Sequence, residues 1–420
     1  MKRIFISLFF FAFMWTAAGA DASPELLFVR WPANPDAVWY SFRIVPVTQH
    51  FGRKEMRPPI YEDGHVFRDS VMIEKEITDS YDGPGILCCQ VKAIGLDGQS
   101  ISAYSAPVPM EKAAQEMERY APKIRVKYHE QNGTVLLYPA YSFVKIPHAV
   151  SYEVEITDEE PENPDGCEPS VHRISQGIVT IPELFDELPR QGTVWWRVRG
   201  LDENGGPVGV WSEAEKIVND PAENWETGIL GDSISHGGGR MSYSPADWPY
   251  NYAYYLDFPT INMSRSGDKT DDLLRRFDAD VLPFHVRYLL IMGGTNNLRC
   301  GGTAEKVISD LEALQEKCRS GGIEPVLLTI PPIAPDRIWK YYQQPTAENW
   351  KAEFDKVNGW IRTQTHIDTA APFAMYEDMP ENLAADGLHP DKEAKEKMGK
   401  IINEKFPEIR KKISETKIQK

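Results

Sequence analysis

An internal repeat constrains the fold of the first half of the chain. Ala37–Ile44 matches Ala149–Ile156, and Gly85–Ala93 matches Gly192–Gly200. In both copies apolar and polar residues alternate, and the runs end in turns rich in Gly, Asn and Asp. This pattern is typical of antiparallel strands rather than of helical repeats. Because the copies lie about 110 residues apart, the repeat predicts two copies of one β-sandwich.

Each copy also shows a buried strand, an Asp-Gly or Asn-Gly turn, and an aromatic-Ser pair, namely Tyr104-Ser105 and Trp211-Ser212. In this it resembles fibronectin type III-like modules, which implies all-β sandwich modules over residues 21–112 and 118–220. Their role stays open between a scaffold and a polysaccharide-binding surface. The aromatic candidates for such a surface are Trp39, Tyr40, Trp195, Trp196 and Trp211.

From residue 224 the pattern changes to strands that alternate with helices, after a hinge at Asp220-Pro221-Ala222. This alternation predicts a three-layer α/β/α domain with a parallel sheet over residues 224–410. The predicted strands are Gly228–Gly231, Thr260–Met263, Val286–Met292, Glu324–Ile330 and a fifth near His366–Thr369. The predicted helices lie around Asp271–Asp278, Ala304–Ser320, Ala347–Gln364 and Asp391–Lys405.

Four short segments of this domain supply complementary chemistry. Gly231-Asp232-Ser233 leaves the first strand at the sheet edge where α/β proteins place their reactive groups. It is followed by the segments 262–268 (NMSRSGD), 291–297 (IMGGTNN) and 386–390 (DGLHP). A serine nucleophile requires a base, a carboxylate that orients the base, and donors for the developing oxyanion. The four segments contain all of these groups.

These segments resemble the SGNH (GDSL-type) family of esterases and acylhydrolases. The resemblance implies that Ser233 is the nucleophile, His389 the general base, and Asp386 the carboxylate that orients it, although Asp378 and Asp391 lie nearby. It also implies an oxyanion hole formed by the N–H groups of Ser233 and Gly267 and the side chain of Asn296. No metal or cofactor is implied.

One position departs from the family pattern. The third segment usually ends in Gly-x-Asn-Asp, whereas Asn297 occupies the final position here. The oxyanion asparagine is retained, but the usual support of its loop is in question.

Two insertions rich in aromatic residues follow strand ends and are expected to overhang the site. The first contains the candidate substrate contacts His236, Arg240 and Trp248, and the second runs from Pro331 to Trp350. Flat aromatic rings mixed with polar side chains suit a sugar ring better than a fatty chain.

The N-terminus has the features of a secretory signal peptide over residues 1–20: a positive head, a short apolar core and small residues at its end. We therefore expect an exported protein, periplasmic or secreted, with no integral membrane segment in its mature form. The first cysteine is Cys88, so a lipoprotein anchor at the cleavage site is not expected.

The net charge of −16 disfavours nucleic acid or an anionic membrane as a partner. The basic tail at residues 411–420 is interpreted as a frayed, solvated terminus.

Five cysteines in an exported chain leave at least one unpaired. Cys300 and Cys318 would lie at opposite ends of one helix, too far apart for a disulfide. All five are interpreted as small buried apolar side chains.

The sequence therefore predicts an exported serine esterase that hydrolyses short-chain esters, such as acetyl esters, on a polysaccharide through an acyl-enzyme. Two alternatives remain: a lipase or lysophospholipase, and a glycan-binding protein with a vestigial hydrolase fold.

Overall fold

The structure is a computed structural model that describes residues 25–418 except 35, 52, 126–132 and 239–243. The predicted signal peptide and Arg240 lie outside the described residues. Within the described ranges, no helix combines the length and apolar character needed to cross a membrane.

The first part of the chain is built of strands and turns with two single-turn helices. The strands are β1 Leu26–Arg30, β2 Trp39–His50, β3 Arg53–Met56, β4 Tyr61–Phe67, β5 Ser70–Glu74, β6 Ile86–Ile94, β7 Val108–Pro109 and β8 Ala114–Met117. The helices are α1 Glu76–Asp79 and α2 Met110–Ala113. One sheet has the order β5-β1-β8, and a second has the order β3-β2-β6-β7 with β4 also paired to β2.

The second part repeats this arrangement with a three-stranded and a five-stranded sheet. Its strands are β9 Lys123–Ile124, β10 Val135–Leu136, β11 Ala140–Val144, β12 Ser151–Thr157, β13 Arg173–Val179, β14 Glu183–Phe185, β15 Gly192–Leu201, β16 Pro207–Val208 and β17 Glu215–Asn219. The sheets have the orders β14-β11-β9 and β13-β12-β15-β16, with β17 also paired to β15.

The strand register relates the two repeats residue by residue. Ile44 of β2 lies opposite Cys89 of β6, and Ile156 of β12 lies opposite Trp196 of β15. These are the positions that the sequence repeat aligns, so Cys89 takes the place of Trp196 in the pairing. The fibronectin type III-like assignment of the two repeats remains a prediction.

The third part contains the predicted parallel sheet, which is confirmed. Its strands are β18 Thr227–Gly231, β19 Ile261–Asn262, β20 Tyr288–Met292, β21 Glu324–Leu328 and β22 His366–Ile367. The sheet order is β10-β19-β18-β20-β21-β22, and each pairing is parallel.

One strand crosses the predicted domain boundary. Val135 and Leu136 of β10 pair with Ile261 and Asn262 of β19, although they belong to the segment predicted as the second β module. The edge of a sheet presents unpaired backbone groups that a further strand can satisfy. This edge strand therefore comes from residues 118–220, and the division of the chain at residues 220–224 stays a prediction.

Helices cover both faces of the parallel sheet. They are α3 Ser233–His236, α4 Thr270–Asp280, α5 Thr295–Arg299, α6 Ala304–Ser320, α7 Pro335–Tyr342, α8 Trp350–Ile361 and α9 Lys392–Ile418. Leu230 of β18 packs in a cluster with apolar residues of α4, α6 and α8. Its neighbour Ile229 packs in another cluster with apolar residues of α9. Successive strand residues point to opposite faces, so the sheet is buried on both sides.

Helix α9 extends beyond the predicted end of the domain. It continues to Ile418, so the interpretation of residues 411–420 as a frayed tail is wrong for the described part of it. Lysine and glutamate favour helix and can pair at i, i+4; Lys411 and Glu415, whose charged groups are 3.9 Å apart, are an example.

All five cysteines are free thiols. The prediction that they are small buried side chains is confirmed for Cys88, Cys89 and Cys318 and is wrong for Cys300, which is exposed. Cys167 is only partly buried.

Candidate active site

The chain turns sharply where β18 meets α3. A Cβ on Gly231 would lie 2.6 Å from both the Met292 carbonyl oxygen and Ser235 Oγ, so only glycine fits at this point. Asp232 caps the short helix by accepting a hydrogen bond from the Ile234 N–H at 2.9 Å. The turn places Ser233 at the carboxyl edge of the parallel sheet.

The loop before α9 brings a histidine and a carboxylate to this serine. His389 Nε2 lies 3.0 Å from Ser233 Oγ, and His389 Nδ1 lies 2.7 Å from Asp386 Oδ2. The imidazole can therefore take the serine proton on Nε2 while the carboxylate holds the proton on Nδ1. The structure brings together the three residues that the sequence proposed for catalysis.

Asp386 is fully buried and heavily hydrogen-bonded. Its Oδ1 accepts from the N–H groups of Leu388 and His389, both at 2.8 Å. Its Oδ2 accepts from the Tyr342 hydroxyl at 2.6 Å as well as from His389. Burial acts to raise the pKa of Asp386, but the charge and hydrogen bond of His389 and the hydrogen bond of Tyr342 outweigh it and hold the pKa below its usual range. The carboxylate therefore remains ionised beside the histidine.

The predicted oxyanion donors have geometry suited to that role. Gly267 has a φ of 93°, and a Cβ there would meet no atom within 4 Å, so backbone conformation requires the glycine and space beside it is open. Asn296 Nδ2 donates to the Asp268 carbonyl at 3.0 Å, and its Oδ1 accepts from Arg299 Nε at 3.2 Å. A carbonyl only accepts and a guanidinium only donates, so these partners fix the orientation of the amide. The second N–H of Nδ2 remains for a substrate oxygen.

Asn297 supports the loop at the position where the family usually has aspartate. Its Oδ1 accepts a hydrogen bond from the Thr270 N–H at 3.0 Å, at the start of α4. An amide oxygen accepts as a carboxylate oxygen does. The hydrogen bond between α5 and α4 is therefore present although Asn297 departs from the family pattern.

With this geometry established, comparison with known proteins identifies the domain. The family model of the GDSL-like Lipase/Acylhydrolase family matches residues 229–397, which include Ser233, Asp386 and His389. The C-terminal half is a GDSL-like acylhydrolase domain.

A protein of Escherichia coli K12, named thioesterase 1/protease 1/lysophospholipase L1, is 29% identical over 171 residues, which cover 40% of this chain and 76% of that protein. A lipase/acylhydrolase from Enterococcus faecalis has a TM-score of 0.35 at 25% identity. The match covers 43% of this chain and 94% of the Enterococcus chain. An acetylxylan esterase from Geobacillus stearothermophilus has a TM-score of 0.33 at 19% identity. The match covers 42% of this chain and 92% of the esterase. At these TM-scores the solved structures add no weight to the assignment, which rests on the family match.

The acylhydrolase domain buries a lysine beneath the nucleophile, which sequence reasoning missed. Lys395 of α9 has no exposed surface and donates from Nζ to the Ile234 carbonyl. Burial lowers the pKa of Lys395 to about 7, although the nearby Asp232 opposes this shift. Burial likewise raises the pKa of Asp232 to about 6. Two buried ionisable groups therefore flank the turn that holds Ser233, since Asp232 precedes the serine and Lys395 bonds to the Ile234 carbonyl.

Two of the three predicted substrate contacts are buried instead. His236 donates from Nε2 to the Tyr138 carbonyl at 2.7 Å and accepts on Nδ1 from the Ser266 N–H at 3.2 Å. Burial lowers its pKa to about 4, so the ring is neutral. Trp248 packs in a cluster with apolar residues of the second β part, including Tyr141. The expectation that His236 and Trp248 contact a substrate is corrected, because tertiary packing covers both rings.

Tyr342 is the group near the reacting atoms whose role the sequence did not predict. It lies in the second aromatic insertion, at the end of α7, where its position close to His389 depends on the tertiary fold. Within the described part of the chain, no group of three or more His, Cys, Asp or Glu side chains could hold a metal ion.

Proposed function

We propose that this protein is a serine ester hydrolase that acts through an acyl-enzyme. The observation that carries the proposal is the 3.0 Å distance between Ser233 Oγ and His389 Nε2, with His389 Nδ1 held by Asp386. Ser233 Oγ attacks the ester carbonyl carbon while its proton passes to His389, and the alcohol leaves with that proton. A water molecule then attacks the acyl-enzyme, gives a proton to His389 and releases the acid, after which the proton returns to Ser233.

We infer further that the acyl group is short and that the alcohol is a carbohydrate. Ser233, Asn296 and His389 are only 6%, 7% and 4% exposed, so the entry to the reacting atoms is narrow. Trp339 is 53% exposed and lies one turn before Tyr342 on α7. Residues three apart on a helix share a face, and Tyr342 contacts Asp386. We therefore infer that a sugar ring at the triad stacks on the Trp339 indole.

The predicted signal peptide fits this function. Acetylated polysaccharides occur outside the cytoplasm, so an enzyme that removes their acetyl groups must be exported. Export, to the periplasm or beyond, remains part of the proposal.

A second candidate is a lipase or lysophospholipase. It is favoured by the matched E. coli protein, whose name includes thioesterase and lysophospholipase. Such enzymes accept long acyl chains, so chain-length preference separates the two candidates.

The proposal is tested with purified protein and a series of nitrophenyl esters from acetyl to dodecanoyl. We expect turnover that is highest for acetyl and absent in Ser233→Ala. A preference for octanoyl or longer chains would favour the lipase candidate. If no ester is turned over and a fluorophosphonate fails to label Ser233, the remaining alternative is a glycan-binding protein with a vestigial hydrolase fold.

A further inference from the structure

Two cavities adjoin, the larger between the two N-terminal parts of the chain and the smaller between the first part and the acylhydrolase domain. They have volumes of about 520 and 250 Å³ and share Arg30, Asp69 and Arg125 in their walls. The larger is lined by residues of β1, β8 and β9, and the smaller extends to Lys392 at the start of α9. We call the two cavities together the interdomain groove.

A row of alternating arginine and aspartate side chains forms one wall of the interdomain groove. Arg30 pairs with Asp69 at 3.3 Å, and Asp69 pairs with Arg125 at 3.2 Å. Arg125 also approaches Asp247 at 3.5 Å, and Asp247 pairs with Arg68 at 2.6 Å. All of these side chains except Arg30 are largely buried. These ion pairs join the N-terminal sheets to the insertion that contains Asp247.

Three lysines add positive charge that the walls do not balance. Lys112, Lys123 and Lys392 line the groove and form no ion pair with any residue that the structure describes. The amino groups of Lys123 and Lys392 lie over the rings of Phe28 and Tyr250, at 4.5 and 5.1 Å.

The charge balance of the groove is opposite to that of the chain. The two lining sets together contain two acidic residues against six basic ones, namely Arg30, Arg68, Lys112, Lys123, Arg125 and Lys392. Glu183, behind the wall, also pairs with Arg68 at 3.8 Å, so the excess positive charge is that of the three lysines. The whole chain has a net charge of −16. A local excess of cations in an acidic protein attracts an anionic ligand.

The interdomain groove reaches the start of α9, the helix that follows the loop of His389. Lys392 follows His389 by three residues, so their Cα atoms are at most ~11 Å apart. We infer that a chain molecule bound in the groove extends from Lys392 toward Ser233. Of the aromatic residues at this end, Tyr254 is partly exposed and provides ring surface beside the cations, whereas Trp248 and Tyr250 are buried behind it.

We propose that the interdomain groove binds an anionic saccharide, bearing carboxylate or sulfate groups, whose ester is cleaved at Ser233. This rests on the proposed function of the C-terminal domain as a carbohydrate esterase. The N-terminal sheets then contribute directly to substrate binding, through Arg30, Lys112 and Lys123, rather than only supporting the enzyme.

Binding is measured by calorimetry on the full chain with Ser233→Ala, so that no ester is consumed. The probes are polygalacturonate for carboxylate, dextran sulfate for sulfate, and neutral dextran. We expect one of the charged probes to bind at low salt, to weaken at high salt because charge pairing is screened, and dextran not to bind. The triple variant Lys112→Gln, Lys123→Gln, Lys392→Gln should lower the affinity by about tenfold or more.

A matched control removes the same charge elsewhere, with Lys54→Gln, Lys216→Gln and Lys351→Gln at exposed positions outside the groove. The control variant should bind the charged probe as the parent does. Equal losses in both triple variants, or no binding of either charged probe by the parent, would overturn the proposal. So would lysine-dependent binding to anionic lipid vesicles with no saccharide binding.

The esterase proposal fails separately. If wild-type protein binds the charged probe through the three lysines but hydrolyses no nitrophenyl ester, the catalytic proposal fails while the groove remains a saccharide site.

Discussion

The Tyr342 hydroxyl donates to Asp386 Oδ2 across 2.6 Å, and the same oxygen lies 2.7 Å from His389 Nδ1. The phenol and the imidazole therefore both point at one carboxylate oxygen. Tyr342 ends α7 within the insertion that follows β21. This insertion thus orients the proposed catalytic carboxylate in addition to forming the rim of the site.

We expect Tyr342→Phe to lower kcat/KM about tenfold with the ring packing unchanged. A hydrogen bond to a charged group contributes about 1.5 kcal/mol, and each 1.4 kcal/mol of transition-state stabilisation changes a rate tenfold. Steady-state kinetics on nitrophenyl acetate checks the loss, and Tyr341→Phe, at the preceding position, serves as the control. Unchanged kinetics in Tyr342→Phe would show that the bonds from Leu388 and His389 orient Asp386 without the tyrosine hydroxyl.

Asn296→Ala should reduce kcat on the same ester by about 100- to 1000-fold, as expected for the loss of one oxyanion donor. Asn297→Asp is the matched variant, because it keeps an oxygen that can accept from the Thr270 N–H. We expect Asn297→Asp to retain most activity. Similar losses in the two variants would mean that Asn296 acts through the loop and not on the oxyanion.

Local sequence order predicted the parts of the fold that depend on nearby residues. The Ser233 turn lies on a buried strand that ends in Gly-Asp-Ser, and the Asp386 and His389 pair lies within one short loop. Helix α6 was predicted with its observed ends because its apolar face repeats at helical spacing. In each case the interactions that determine the structure are separated by a few residues.

Features that depend on distant contacts were not predicted. The two-residue strand β10 gives no periodic signal, and its pairing partner β19 is more than 120 residues away. Lys395 is one of many lysines in α9, and only the packing of α9 against α3 shows that it is buried. Trp248 and Trp339 both lie in insertions rich in aromatic residues. Trp248 is buried and Trp339 is exposed, and this difference depends on tertiary packing.

Lys395→Met should change how stability depends on pH. Because burial lowers the pKa of Lys395 to about 7, the unfolded chain binds a proton at this site between pH 7 and about 10.4, whereas the folded chain does not. This group therefore makes the wild-type free energy of unfolding rise with pH over that window, by at most roughly 5 kcal/mol.

The methionine variant lacks this contribution, so its free energy of unfolding should rise less between pH 7 and 10. Urea unfolding at a series of pH values measures the difference. Lys400→Met is the control, because Lys400 is an exposed lysine of the same helix. Parallel pH profiles for wild type and Lys395→Met would show that the buried amine keeps its ordinary pKa.

Trp339→Ala tests whether the exposed indole on α7 binds the alcohol part of the substrate. Stacking of a sugar on this ring would contribute about 1.5 kcal/mol, so kcat/KM for an acetylated oligosaccharide should fall about tenfold. The loss on nitrophenyl acetate should be much smaller, because its compact leaving group does not extend along α7. Phe51→Ala is the control, since Phe51 is an almost fully exposed aromatic residue in the turn after β2. Equal losses on both substrates would show that Trp339 stabilises α7 and does not bind the sugar. A loss confined to long-chain esters would indicate that the indole contacts an acyl chain and would favour the lipase candidate.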